Sequence, residues 1–459
     1  MLKLLRVFTW KSWLLLALAS GFIVLGVWME LEIPRYLGEI TDLVTNPLRS
    51  ATMGEVWLQG LYMLLFAIGS MLASCVVAYA GALLASDFSA KLRKDIYERV
   101  GEFSQSEIKK FSVASLITRC TNDVTQVRLF VALAIQLLIR VPVITIWAIT
   151  RMTAASPEIS LVTGIAVLSI AIIPIVIVLV CLPKFKKVQE YTDRLNLVSR
   201  ENLTGIRVVR AYNAEKFEQA KFEKTNTNLA KTNLFLSRAI GIALPIMTLV
   251  LSVVTVAIYW VASSLISGGN VANPNDFFGE VMVFMQYSLQ IIFAFIMMIF
   301  VLTLLPGAMV SSKRINEVLR TKSTITDQTL PQNTNITKLE NGDIEFKDVN
   351  YKYPGAEKNV LSDINLKIKQ GQTVAFIGST GCGKSTLVNL LARIADPISG
   401  CVKINDTHVN TVTLENLSSV VGYVPQTAML FSGTVRENIA FGTVGGTEIA
   451  DEQVEKALK

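Results

Sequence analysis

Phe376 to Thr386 read FIGSTGCGKST. Gly378, four intervening residues, then Gly383, Lys384 and Ser385 give the spacing of a loop that cradles phosphate. Glycines let successive backbone N–H groups turn inward, and a following helix adds positive potential from its N-terminus. Lys384 would reach the β- and γ-phosphates of a bound nucleotide, and Ser385 would offer a hydroxyl to Mg²⁺. The elements that must hold such a loop appear in the required order. TVAFI is a short apolar run fitting a buried strand, and LVNLLARI after the loop fits a helix. The nucleotide-contacting set is thus Gly378, Ser379, Thr380, Gly381, Cys382, Gly383, Lys384, Ser385 and Thr386. Cys382 is read as a small residue at a permissive position, ahead of a redox sensor.

The rest of the chain is built for a different solvent. Of 459 residues, 51% are hydrophobic and 17% charged, against about 25% charged for a soluble domain. Mean hydropathy is +0.47. The five cysteines form no metal spacing or disulfide framework. His408 is the only histidine, which excludes a His-based metal or triad site, and it is read as an exposed turn residue. The N-terminal run has the basic start of a signal peptide but stays apolar to Trp28, long enough for a retained first helix. Six segments suit membrane helices: Trp13–Met29, Leu58–Ala85, Leu129–Thr153, Ile159–Leu182, Ala239–Ile266 and Val281–Leu305.

The intervening charge alternates. Lys3, Arg6 and Lys11 precede the first span, and an acidic loop with Glu30, Glu32, Glu39 and Asp42 follows it. A basic stretch from Lys91 to Arg128 separates spans two and three, and another, Lys184–Arg238, separates four and five. Ser267–Glu280 has no Lys or Arg. This pattern places both termini on the cytoplasmic side of a multi-pass protein and accounts for the net charge of +7 without nucleic acid. The two basic segments lack proline, so the spans are expected to continue as helices some 25 Å or more beyond the bilayer. On span six, Gln286, Gln290, Phe293 and Met297 share one face, a candidate ligand-contacting stripe or simply a packing and lipid face. Arg140 either lines a cavity or snorkels to the interface, and Pro174 and Pro245 are candidate kinks.

Thr321–Asn341 is a polar linker, and its sequon at Asn335 lies on the cytoplasmic side and is discounted. IEFKDVNYKYP and DINLKIKQG then alternate as half-buried strands do.

With these motifs in place, the chain resembles the ATP-binding cassette exporters, as a half-transporter with its membrane domain first. The likeness extends over nearly the whole sequence. Tyr353 in YKYPG matches the aromatic that stacks on adenine, and Gln426 in VGYVPQ matches the glutamine that contacts Mg²⁺ or the attacking water. Ser115–Val124 and Glu201–Glu215 resemble the two intracellular coupling regions, and Ser311–Leu319 the end of the sixth helix. The resemblance implies an all-α six-helix membrane domain over 1–320, a linker over 321–340, and the first part of an α/β P-loop nucleotide-binding domain over 341–459. It further implies ATP and Mg²⁺ as ligands, with Lys384 and Gln426 as catalytic residues and Ser385 and Gln426 as metal contacts. A second half-transporter, more in keeping with a heterodimer, lipophilic drug-like cargo and the plasma membrane complete the picture, with lipid and peptide as alternative cargoes.

The sequence departs from the family's pattern in one respect. No LSGGQ-like signature, Asp–Glu strand end or late histidine follows Lys384 before Lys459, so a fragment of a longer chain is expected. Hydrolysis needs those groups to stabilise charge and orient water. A membrane subunit that binds ATP without hydrolysing it is the alternative. A membrane-bound P-loop kinase would leave the Gln426 loop and the intracellular motifs without a role.

Overall fold

A computed structural model describes residues 8–45, 52–155, 157–268, 274–327, 342–427, 429–441 and 449–458. The side chains of 154–160, 162–163, 166–168, 170–171, 174–175, 178 and 274–276 are outside the description, Pro174 among them. Most of the polar linker, with Asn335, also lies outside the described residues. Two compact units emerge: Met1–Asp95 with Thr118–Glu317, and Ile96–Ile117 with Val318–Lys459.

The first unit is helical. Its elements are α1 (Trp10–Thr45), most of α2 (Met53–Gly101), α5 (Val124–Ala155), α6 (Pro157–Thr204), α7 (Ile206–Ala211), α8 (Glu215–Gly241), α9 (Ala243–Ser267) and α10 (Pro274–Arg320). Among the described residues, five helices are long and apolar enough to cross a membrane: Trp10–Thr45, Met53–Gly101, Val113–Thr153, Glu215–Ser267 and Phe277–Arg320. Each carries one span of the sequence reading, and Ile159–Leu182 falls within α6. The core is assembled from Ile23, Val27 and Leu31 of α1, Ile144 and Met152 of α5, Met247 and Ile258 of α9, and Ile291 and Ile292 of α10. Outside it, Leu64, Ile146, Leu249 and Trp260 are exposed, as side chains facing hydrocarbon are.

The helices do run on past the apolar spans. At about 1.5 Å per residue, the 49 residues of α2 extend some 74 Å, more than twice a hydrocarbon core. Pro245 acts as a breaker: it cannot donate to the Gly241 carbonyl, and the helix divides at Ile242 into α8 and α9.

The acidic stretch after the first span is not a loop. Glu30, Glu32, Glu39 and Asp42 all belong to α1, and Glu32 and Asp42 are buried at 5% and 9% exposure. The reason is ion pairing. Arg151 of α5 reaches Glu32 at 2.5 Å, and Arg35, one turn along α1, reaches it at 3.3 Å. Arg140, beside Pro142 in α5, pairs with Glu30 at 2.6 Å rather than snorkelling alone. Tyr287 of α10 donates its hydroxyl proton to the Leu31 carbonyl at 2.8 Å. Backbones of α1 and α10 also touch closely. A Cβ on Gly279 would lie 2.8 Å from the Gly38 carbonyl oxygen, so only glycine fits.

Within Ser115–Val124, α4 (Val113–Thr118) passes through a π-turn at Arg119–Asp123 directly into α5. The short helix set apart is α3 (Gln105–Phe111), which begins with a capping box between Ser104 and Glu107. The π-turn is tied to α10. Asp123 accepts a hydrogen bond from Ser311 at 2.8 Å, and Arg119 pairs with Glu317 at 2.9 Å.

In the second unit, α3 joins a four-stranded antiparallel sheet in the order β2-β1-β3-β4. The strands are β1 (Ile344–Tyr351), β2 (Leu361–Ile368), β3 (Ser399–Ile404) and β4 (Thr407–His408). Ile344 faces Ile368 on one side and Ile404 on the other. Phe346, Val349, Val402 and Ile404 bury against Leu387 and Leu390 of α11 (Lys384–Leu391) and Leu417 of α12 (Leu414–Val420). His408 pairs with Lys403 and is half-buried on β4, because the turn is made by Asn405 and Asp406, both at positive φ. Past the sheet, α13 (Val435–Ile439) is capped by Thr434 and Glu437, and α14 (Asp451–Leu458) pairs with it through Arg436 and Asp451.

TVAFI is not a strand here. Thr373–Ile377 is in no regular element, with Ile377 at 96% exposure. A central strand needs backbone partners on both edges, and among the described residues this segment has none.

Candidate nucleotide site

The phosphate-loop geometry is set locally. Gly381 and Gly383 adopt φ of +87° and +97°, which L side chains rarely tolerate. Gly383 is doubly constrained, since a Cβ there would come within 2.8 Å of Leu361 and 3.3 Å of the Val360 carbonyl. Gly383 sits at the N-cap of α11, whose apolar residues Leu387 and Leu390 anchor it to the sheet. The helix therefore has a fixed start and an N-terminus open to an anion.

Lys384 folds back over its own loop. Its ammonium donates to the carbonyls of Gly378 and Ser379, both at 2.8 Å. The Cys382 sulfur lies 3.5 Å from the same nitrogen, and a Cβ on Gly378 would meet that sulfur at 2.7 Å. Ser379, Thr380, Gly381, Cys382 and Ser385 are exposed, whereas Thr386 is 5% exposed. The set suits a polyphosphate: glycines at positive φ, one cation over the loop, accessible hydroxyls and a helix N-terminus. Among the described residues no group of three or more His, Cys, Asp or Glu could hold a metal alone. Mg²⁺ keeps waters and substrate phosphates as ligands, so a nucleotide-bound Mg²⁺ needs no such cluster.

Two of the expected residues are brought together from distant positions. The Tyr353 and Thr386 hydroxyls lie 3.0 Å apart, which draws the ring to the start of α11. The ring stands edge-on to Tyr351, at 5.2 Å and 83°. Tyr423 donates to Asn389 of α11 at 3.0 Å and so ties the VGYVPQ segment to the loop helix. Gln426, just beyond, is exposed at a bend.

Two further residues had no signal in the sequence. Arg393, 5% exposed and at φ +52°, closes the turn after α11 by donating to the Val412 carbonyl at 3.3 Å and to Asp396 at 3.4 Å. Lys109, from α3, places its ammonium 4.5 Å from the centre of the Tyr353 ring. A cluster of hydroxyls surrounds the α3 cap: Ser104 lies 3.1 Å from Thr324, and Ser106 donates to Glu107 at 2.7 Å. Burial pushes the Glu107 carboxyl up, but hydrogen bonds from Ser104, Ser106 and Thr324 outweigh it and hold the group below its ordinary 4.5. Burial beside Tyr353 raises the Tyr351 phenol.

Known proteins share both parts of this organisation. Residues 16–295 match the ABC transporter transmembrane region, more than half of the chain, and residues 361–459 match the ABC transporter domain. The chain belongs to the ABC transporters. It is 32% identical over 389 residues to an uncharacterized ABC transporter ATP-binding protein of Mycobacterium tuberculosis, covering 85% of this chain and 66% of that one. It is 30% identical over 418 residues to the uncharacterized ABC transporter ATP-binding protein YfiB of Bacillus subtilis, covering 90% and 70%. ABC transporter B family member 4 of Dictyostelium discoideum matches at 27% over 439 residues, covering 94% and 54%. The chain thus spans about two thirds of the length of the two bacterial relatives. As an ABC transporter it combines a helical membrane region with a segment of ATP-binding domain, and it is a membrane protein.

Proposed function

We propose that this ABC transporter is one half of an ATP-driven exporter of lipophilic, drug-like compounds across the plasma membrane. One observation carries the reading: a single chain joins membrane-length helices to a loop built for phosphate. The positive-inside charge pattern supports cytoplasmic termini, so ATP and the loop share one compartment.

In this reading Gly378–Thr386 wrap the triphosphate with main-chain N–H groups. Lys384 exchanges the Gly378 and Ser379 carbonyls for phosphate oxygens. Tyr353 stacks on adenine, and Ser385 with Gln426 orients Mg²⁺ and the attacking water. Mg²⁺, held there with the nucleotide, would supply positive charge opposite the charge developing on the phosphoryl group. A partner half, more in keeping with a heterodimer, supplies the remaining groups of each composite site. In the membrane unit, Phe293 and Met297 are exposed at 54% and 53%, and the Gln290 amide oxygen is buried without a partner among the described residues. An unsatisfied polar atom beside flexible apolar side chains suits a face that meets varied cargo.

The test is ATP-dependent uptake of ethidium into inverted membrane vesicles carrying the protein. Uptake that Lys384→Ala abolishes is the expected result. ATP binding with no uptake in either protein overturns export of this kind and favours the non-hydrolysing ATP-binding subunit.

A further inference from the structure

Lys109 belongs to neither the phosphate loop nor the Tyr353 motif, yet it reaches the ring assigned to the base. Tyr353 is held on three sides. Its hydroxyl meets Thr386, Tyr351 packs edge-on against it, and the Lys109 ammonium sits over the ring at 4.5 Å from its centre. The open space beside the ring is a cavity of about 230 Å³, bordered by Lys109, Thr324, Tyr351, Tyr353, Ile394 and Asp396. A purine fits that volume. An ammonium over an aromatic face is attracted by the ring's quadrupole, and a base stacks on the same kind of face through the same electrons. Both cannot occupy one face.

We infer that Lys109 competes with the nucleobase for Tyr353: its ammonium lies over one face of the ring beside the cavity, and a base stacking on that face has to displace it. The inference rests on the reading of Tyr353 as the adenine-stacking ring. It adds that base binding and α3 attachment oppose each other, because α3 carries the lysine. Such linkage is reciprocal: whatever loosens α3 favours the base, and the base loosens α3 by the same factor. Phosphate binding by the loop is independent of it.

The experiment compares binding of ATP and of inorganic tripolyphosphate to the full chain in nanodiscs, for the parent protein, Lys109→Ala, Lys109→Arg, Tyr353→Ala and the Lys109→Ala/Tyr353→Ala pair. Lys109→Ala is expected to tighten ATP about two- to fivefold, the range of an exposed cation–π contact. Tripolyphosphate affinity stays unchanged, which also reports an intact loop. Lys109→Arg restores the parent value, since a guanidinium covers the ring equally well. In the Tyr353→Ala background, removal of Lys109 has no effect on ATP. Unchanged or weaker ATP binding in Lys109→Ala, or an effect that persists without Tyr353, overturns the inference. Should Tyr353→Ala alone leave the ratio of ATP to tripolyphosphate affinity unchanged, the stacking assignment itself fails, and the inference with it.

Discussion

Polar groups are fixed in opposite ways in the two units. In the membrane unit, side chains hold side chains across long sequence separations: Arg140 with Glu30, 110 positions apart, and Arg151 with Glu32, 119 apart. In the phosphate loop of the nucleotide unit, main chain does the holding, although elsewhere in that unit side chains also meet, as Tyr423 and Asn389 do. The Lys384 ammonium is gripped by carbonyls only five and six residues back, and the loop's path is set by glycines at positive φ. The difference follows from the solvent. Charges in or near lipid lose their hydration and must find each other. A phosphate loop faces water and must keep its donors free for a ligand, so it is shaped by backbone conformation.

If the contrast holds, backbone changes should damage the nucleotide unit and charge changes the membrane unit. Gly383→Val should have the largest effect. It forces a branched side chain to φ +97° within 2.8 Å of Leu361, at a cost of about 3 kcal/mol. Loss of both ATP and tripolyphosphate binding, with membrane insertion intact, is the expected pair of readings. Lys384→Ala should weaken ATP binding roughly 10- to 100-fold, as loss of a charged hydrogen-bond partner does. Isothermal titration giving an unchanged affinity would remove the lysine from the site.

Glu32→Ala tests the other side. It takes from Arg151 its ion-pair partner and from Arg35 one of two, since Arg35 keeps Glu39 at 3.4 Å, and because both arginines are about half exposed the cost is discounted to about 2 kcal/mol. The detergent-solubilised protein should melt lower while ATP affinity stays the same. A fall in nucleotide affinity without loss of stability would contradict the division of labour.

Glu107→Gln is the smallest expected change, about 1 kcal/mol at neutral pH, through the α3 cap. The Glu107 carboxyl is held below its ordinary value, so its contribution is present above pH 4.5 and is lost as the pH falls through the lowered folded value. Hydrogen exchange in α3, corrected for intrinsic rates, should therefore separate the two proteins at pH 7 and converge under acid. A difference that widens on acidification would invert the assignment.

Local patterns made much of this molecule legible. The GSTGCGKST spacing located the loop and its helix, and period-two alternation located β1 and β2, because these features are decided by neighbours in sequence. Apolar length located five of the six spans for the same reason. The acidic run of α1 was misread as a loop because its burial depends on arginines of another helix. TVAFI was misread as a strand because a strand exists only with partners, and periodicity does not supply them.

The sequence by itself determined the class of the protein. Apolar runs of bilayer length and one glycine-spaced lysine loop each encode a physical property that no folding partner is needed to express. Tertiary structure alone decided which charges pair within the membrane unit, that Gly38 and Gly279 bring two helices into backbone contact, and that Lys109 lies over Tyr353. Those are outcomes of chain crossing. They depend on which distant side chains arrive at the same place, and spacing along the chain carries no record of that.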